Sequence, residues 1–249
     1  MFDHETRPWE GSILTSLVSD FENLDGCGHG SKIEAVVMLP NFFLPLMAWE
    51  NGLDYKTFAA NARRMAGFIS LTRDRDTGRV YPDPNDGRCR IEYTPSAFDR
   101  KHILEGIIGA AKIAYVSGAR EIRSSSLAIP TFTRPETSSD AADEGVNNAA
   151  FQEWIKKLRT GVPLPTEQSM FASAHQMGTC RMGISPKTSV VDPTGMVWGT
   201  SGLYVADASV FPSASGVNPM ITNMAITDVT SRKLASIMSH DPEVIKSRL

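Results

Sequence analysis

The 249-residue sequence has no long apolar run and no excess charge of one sign, and both absences exclude classes of protein. Its longest apolar stretch, residues 35–49, is broken by Pro40, Asn41 and Pro45, and it is shorter than the ~20 residues that span a bilayer. The net charge of −3 and the pI near 6.0 argue against a nucleic-acid partner. We therefore expect no transmembrane segment and no nucleic-acid binding, while peripheral contact with a membrane stays open.

Cysteine is scarce as well. The three cysteines, Cys27, Cys89 and Cys180, are odd in number and lack metal-ligand spacing. This usage predicts a reducing intracellular compartment and no metal site. A packed role for Cys180 is favoured over a reactive thiol. Residues 1–8 do not have the features of a signal or transit peptide.

A glycine-rich nucleotide loop is also missing. Residues 26–30, Gly-Cys-Gly-His-Gly, have the composition of such a loop, but the loop must follow an apolar strand and open a helix. Here the glycines follow polar residues and precede the strand-like segment 33–39. The pattern therefore predicts a hairpin loop, with His29 as a loop histidine.

An aspartate closes a short apolar run in the C-terminal third of the chain. Residues 203–206 have the character of a buried parallel strand, and Asp207 follows them directly. Ligands of open α/β sheets bind outside the carboxyl ends of the strands. We therefore expect Asp207 and the backbone of Ala208 beside the hydroxyls or phosphates of a nucleotide. The alternative is that Asp207 only makes a turn or caps a helix.

An Asn-Pro pair opens a long amphipathic helix. Asn218 is predicted as its N-cap and Pro219 as its first residue. The N-terminus of such a helix suits an anion, although Asn218 could serve as a cap alone. The predicted apolar face consists of Ile221, Met224, Ala225, Ile226 and Val229.

A single histidine, His175, lies in a polar turn that contains Gly178. A lone histidine is more often structural than catalytic. Histidine is, however, the residue that most often acts as a general base near neutral pH. Both roles stay open on the residues alone.

Taken in order, these motifs resemble the C-terminal signature of the glucose–methanol–choline (GMC) oxidoreductases, FAD enzymes that oxidise alcohols. The matching segments look most like the long-chain fatty alcohol oxidase branch. They cover residues 175–183, 207–212 and 216–223.

The resemblance implies FAD as the cofactor and assigns four contacts to it. Asp207 and Ala208 match the segment that contacts the FAD ribityl and diphosphate. Pro219 and Met220 match the helix start that approaches the flavin pyrimidine ring, where positive helix charge would stabilise the anionic reduced flavin.

The resemblance also implies a reaction. His175 matches the catalytic base, and Asn218 matches the second active-site position. The expected substrate is a long-chain or other primary alcohol, oxidised to the aldehyde with oxygen as acceptor and hydrogen peroxide as product. Two alternatives stay open: a dehydrogenase that uses another acceptor, and an inactive remnant or split subunit that needs an N-terminal FAD-binding partner. The last residues, Ser247-Arg248-Leu249, resemble a peroxisomal import signal, so we expect a peroxisomal protein.

The expected fold combines α+β and α/β features. Residues 1–168 are predicted as a partial substrate-binding part, an antiparallel sheet with covering helices. Residues 169–249 are predicted to supply one strand and a long helix of the FAD-binding domain. The earlier elements predicted in chain order are a helix over residues 55–69 (or a strand from 68), strands at 79–81 and 88–94, a helix over 99–117 and a short helix through 151–158.

Overall fold

The computed structural model describes residues 1–10, 16–136, 145–161 and 171–240, and the chain forms two compact units. Unit 1 consists of Met1–Asp76 and Thr94–Ala172, and unit 2 of Thr77–Tyr93 and Ser173–Leu249. The predicted boundary between residues 168 and 169 lies outside the described residues, as does the C-terminal tripeptide.

Short strands and five α-helices make up the described residues. The strands are β1 (Leu17–Val18), β2 (Ser31–Ala35), β3 (Phe68–Thr72), β4 (Arg79–Pro82), β5 (Cys89–Glu92), β6 (Glu121–Ile122) and β7 (Phe132–Thr133). The helices are α1 (Pro40–Phe43), α2 (Gly52–Ala60), α3 (Ala97–Val116), α4 (Ala149–Gly161) and α5 (Met220–His240). Within the described ranges, no helix combines the length and apolar character needed to cross a bilayer.

Antiparallel pairing prevails in the named strands, as the sequence predicts. Strands β1, β2 and β3 form one sheet in that order, and β6 pairs with β7. The glycine-rich residues 26–30 lie in the connection between β1 and β2, which confirms the hairpin loop. His29 is held there by Asp25, 2.8 Å from its Nδ1.

Helix α3 lies against this sheet because two glycines allow a close approach. A Cβ at Gly109 would come within 2.7 Å of the Ile33 side chain. A Cβ at Gly106 would overlap the hydroxyl oxygens of Ser31 and Ser70. The helix begins after the N-cap Ser96, whose side chain accepts the Asp99 N–H.

The core of unit 1 lies between α3 and α4. Tyr115 stacks on Phe151 with ring centroids 4.3 Å apart, and Phe132 meets Phe151 edge-on at 5.4 Å. Asn148 accepts the Phe151 N–H at 3.1 Å, which supports the start of α4. The buried members of this core are Leu104, Ile108, Ala111, Tyr115, Ile129, Phe132, Phe151, Trp154, Ile155 and Leu158.

The helix predicted over residues 55–69 is wrong beyond Ala60. Asn61 ends α2 by donating its side-chain amide to the Thr57 carbonyl at 2.9 Å. The chain then reaches β3, so the alternative of a strand from residue 68 is confirmed. The apolar periodicity predicted one continuous helix because the apolar residues of α2 and those around β3 happen to follow a single helical spacing.

Unit 2 contains the predicted hairpin, β4 paired antiparallel with β5. The buried parallel strand predicted at residues 203–206 is wrong. Leu203 is 53% exposed, and Tyr204 forms a single antiparallel bridge with Met196. The Val205 N–H donates to the Gly195 carbonyl at 2.9 Å, because the preceding turn folds back alongside this segment and takes its hydrogen bonds.

The long C-terminal helix is confirmed as α5, but most of its predicted apolar face points outward. Ile221, Met224 and Val229 are more than 60% exposed. The α5 residues that pack against the rest of unit 2 include Ile226 and Thr230, and Thr230 is 3% exposed.

We expect Gly106→Ala to lower the free energy of unfolding by about 1–3 kcal/mol, the usual cost of overpacking. The added methyl group would displace Ser31 or Ser70 and push α3 off the sheet. Thermal or urea denaturation measures the effect.

Gly52→Ala is the matched control, because nothing lies within 4 Å of a Cβ at this helical position. Equal stabilities of the two variants would contradict the close approach at Gly106.

Candidate active site

A hydrogen-bonded ladder joins the histidine motif to the aspartate motif. It runs between residues 178–182 and residues 208–210, so the end of the histidine motif lies alongside the turn that follows Asp207. The N–H groups of Gly178, Cys180 and Met182 donate to the carbonyls of Ala208, Ser209 and Val210 at 3.2, 2.8 and 2.8 Å.

The turn itself depends on Gly178. Its φ of +83° is a left-handed conformation that glycine adopts without strain. A Cβ at this position would also lie 3.3 Å from the Phe211 carbonyl oxygen. Gln176 donates its side-chain amide to the Ser173 carbonyl at 2.9 Å, and His175 between them is half-buried.

A hydrophobic cluster joins the first two motif segments to α5. Val191 and Val210 are fully buried, and Phe211 is 2% exposed. Met177 and Met182 of the histidine motif, Ala208 of the aspartate motif and Ile226 of α5 pack on these three side chains, so one small core holds both motifs and the helix that follows the Asn-Pro pair. The packed residues are Met177, Met182, Val197, Val205, Ala208 and Ile226.

Asp207 caps the short 3-10 turn Ala208–Val210. Its Oδ1 accepts the Ser209 N–H at 2.8 Å. Hydrogen bonds from the Ser209 side chain and N–H lower the pKa of this carboxyl group, so it is ionised at neutral pH. The capping alternative is thus confirmed. A ligand contact of Asp207 and Ala208 stays a prediction, for which the carboxylate is suitably exposed.

The start of α5 differs by one residue from the prediction. The helix begins at Met220, and the Pro219 carbonyl accepts the Asn223 N–H at 2.7 Å. Pro219 therefore immediately precedes the helix and takes the cap position, and Asn218, the predicted cap, lies one residue before it. The first N–H groups of a helix have no partner within it and carry its positive end. Met220 is 66% exposed there.

A side-chain hydrogen bond from a threonine on α5 links this helix to the residue before Asp207. Thr227 Oγ1 donates to the Ala206 carbonyl at 2.8 Å, directly before Asp207. Thr227 lies seven residues after Met220, which corresponds to about 10 Å along a helix axis. Sequence reasoning missed this contact, because a threonine in a helix does not reveal its partner.

These residues fit one end of an FAD molecule. The Asp207 carboxylate suits ribityl hydroxyls, and the positive helix end suits an anionic ring. The Asn223 Oδ1 is buried without a hydrogen-bond partner among the described residues, so it can accept a further donor. Within residues 1–10, 16–136, 145–161 and 171–240, no glycine-rich turn leads from a strand into a helix, which is the arrangement that binds a diphosphate.

The family of the chain follows from comparison with known proteins. The family model for the C-terminal region of GMC oxidoreductases matches residues 64–227. The chain belongs to the GMC oxidoreductase family, as its motifs predict.

The chain is similar to two long-chain-alcohol oxidases of a plant. Long-chain-alcohol oxidase FAO3 of Arabidopsis thaliana is 34% identical over 93% of this chain and 29% of its own length. Long-chain-alcohol oxidase FAO4A of the same plant is 32% identical over 90% and 29%. The chain thus spans less than a third of these relatives. A crystal structure of pyridoxine 4-oxidase from Mesorbium loti is 19% identical, with a TM-score of 0.45 over 82% of this chain and 34% of that one.

We expect Asp207→Asn to remove a pH-dependent contribution to stability. The pKa of Asp207 in the folded protein lies below its ordinary value of 3.8. The ionised carboxylate therefore stabilises the folded state fully above pH 3.8, and this stabilisation is lost as the pH falls through the folded pKa. The melting temperatures of wild type and variant should differ at about pH 6 and converge towards about pH 3.

Asp228→Asn provides the control. This exposed carboxylate pairs with Arg232 on the surface of α5, where an ion pair contributes little. A pH-independent difference for Asp207→Asn would contradict the role of its charge.

Proposed function

We propose that this chain provides the catalytic residues of an FAD-dependent alcohol oxidase that acts on long-chain primary alcohols. The observation that carries the proposal is the single hydrophobic cluster of unit 2, which holds the histidine motif, the aspartate motif and α5 together. The names of the Arabidopsis relatives support the substrate class.

In this proposal His175 is the general base. An alcohol gives up a hydride only as its hydroxyl proton leaves, so a neutral imidazole beside the carbinol takes that proton. Asn218 donates a hydrogen bond to the developing alkoxide and stabilises its negative charge. FAD, when bound, would accept the hydride and pass the electrons to oxygen, which yields hydrogen peroxide.

The four cofactor contacts follow from the same assignment. Asp207 and the backbone at Ala208 bind the ribityl region. Pro219 and Met220 bring the positive end of α5 to the pyrimidine ring. Residues 169–249 then complete an FAD-binding domain, and α5 is their main contribution to it.

The outward face of α5 supports a partner for this domain. Met220, Ile221, Met224 and Val229 are all more than 60% exposed, and a contiguous apolar surface of this kind marks an interface. We propose that a flavin-binding segment with a glycine-rich turn covers it, either in the same polypeptide or in a second one. That segment would supply the N–H groups for the diphosphate.

The chain of 249 residues by itself should therefore not retain FAD. After incubation with FAD and desalting, we expect no visible flavin band. Adding the flavin-binding segment of a long-chain-alcohol oxidase should restore the band and alcohol-dependent peroxide formation.

Two matched substitutions test the proposed interface. Ile221→Glu should weaken flavin retention in the assembled enzyme, because it places a charge on the outward face of α5. Ile184→Glu should not, although Ile184 in unit 2 is 90% exposed. A flavin band in the isolated chain, or equal effects of both substitutions, would refute the interface.

For the base, we expect His175→Ala to lower turnover in the assembled enzyme by roughly 10²–10⁴, the range for lost acid–base catalysis. The rate of flavin reduction by a long-chain alcohol, measured with FAD bound, reports this step. Asn218→Asp should slow the same step, because its charge opposes the developing alkoxide.

His29→Ala serves as the control, because this histidine pairs with Asp25 in a loop of unit 1. Turnover close to that of the wild type in His175→Ala, with flavin retained, would rule out the assignment of the base.

A further inference from the structure

Unit 1 contains a cavity of about 210 Å³ that the proposed reaction does not use. One face of α3 forms its wall, with Ile103, Ile107, Ala110 and Ala114 at a spacing of three or four residues. Phe58, Met65 and Trp154 are among the other apolar residues that line it. The cavity is partly open to solvent, so a small ligand can enter it.

The cavity lies along a second apolar face of α3 that the core covers only in part: Ile107 packs against the core and also lines the cavity, beside Ile103, Ala110 and Ala114. Leu104, Ile108 and Tyr115 pack into the core. The neighbouring face ends in two small residues, Ala110 and Ala114, where longer side chains would fill the space. This second face therefore has apolar surface available to a ligand.

We propose that the cavity binds the end of an unbranched alkyl chain of roughly eight carbons. The estimate scales from an apolar cavity of about 150 Å³, which holds one six-carbon benzene ring. The site consists of unit 1 residues, whereas His175 and Asn218 belong to unit 2. It therefore goes beyond the proposed oxidation and does not require flavin.

The polar lining selects a hydroxyl head group over a carboxylate. Ser70 lines the cavity, and its Oγ is buried without a hydrogen-bond partner among the described residues. Such an oxygen gains from a neutral donor or acceptor. The lining contains two cations, and both already have partners. Arg123 binds Asp54 at 3.0 Å and lies 3.8 Å from Glu121, and the Met1 ammonium group donates to the Glu121 carbonyl at 2.7 Å. A further carboxylate would also meet the negative charge of Glu121, which lines the cavity.

Calorimetric titration of the full chain with octan-1-ol tests the site. We expect saturable binding of one molecule per chain. Affinity should rise roughly fourfold for each methylene from butan-1-ol to octan-1-ol, because each buried methylene contributes a constant transfer free energy. Beyond the length that fills the cavity, the rise should stop. Absence of saturable binding, or an unlimited rise with chain length, would overturn the proposal.

Substitutions in the lining locate the bound chain. Ala110→Leu should reduce the affinity for octan-1-ol at least tenfold, because its side chain occupies the cavity. Ala114→Leu, one turn further along α3, gives a second obstruction if the first variant does not fold. Ala150→Leu is the control, since Ala150 is an exposed residue of α4 outside the lining. Folded obstructing variants that bind as tightly as the control would place the ligand elsewhere.

The head group is tested separately. Octan-1-ol should bind more tightly than octanoate to the wild type. Ser70→Ala should weaken octan-1-ol binding about fivefold, in the range expected for one hydrogen bond, and should leave the binding of a pure alkane unchanged. Preference for octanoate, or equal effects of Ser70→Ala on alcohol and alkane, would refute the polar contact.

Discussion

The cluster of Val191, Val210 and Phe211 is the contact on which the organisation of unit 2 depends. Regular secondary structure is sparse in residues 173–219, where backbone hydrogen bonds connect the segments singly and not as an extended sheet. The buried cluster holds these segments together, since packed apolar side chains resist displacement. The ladder from residues 178–182 to 208–210 then sets the register. The relative positions of the histidine and aspartate motifs therefore depend on this small core.

Local signals in the sequence predicted an element correctly where its backbone hydrogen bonds form within the element itself, as in a helix. Helix α3 was predicted over residues 99–117 and runs from Ala97 to Val116, because Ser96 caps its start and Gly118 ends it with a φ of +87°. Residues 203–206 could not be predicted in this way. Their apolar composition fits a buried strand, but strand pairing depends on which distant segment is available, and the turn at Gly195 took the hydrogen bonds. The motif residues were therefore easier to find than their surroundings.

Helix α5 shows why periodicity alone does not identify the buried face. Thr230 is 3% exposed and lies where Gly195 leaves room for its side chain, and Thr227 bonds the backbone at Ala206. Two threonines and Ile226 thus make contacts within unit 2, while Ile221, Met224 and Val229 remain outside. The hydropathy pattern of a helix predicts that its most apolar side faces the core. This prediction fails for a helix that packs on two sides. The exposed side is consistent with the partner proposed for the flavin-binding domain.

The same reasoning applies to α3 in unit 1, with a different outcome. Ile103, Ile107, Ala110 and Ala114 form a regular apolar stripe, yet most of the core packs on the adjacent stripe with Leu104 and Ile108. In α5 the outward residues are exposed, which suits a protein surface. In α3 the second stripe is bordered by Phe58, Met65 and Trp154, and its alanines leave a space of about 210 Å³. A space of this size with an unpaired hydroxyl group at Ser70 is too small for another helix, but it can admit a flexible alkyl chain.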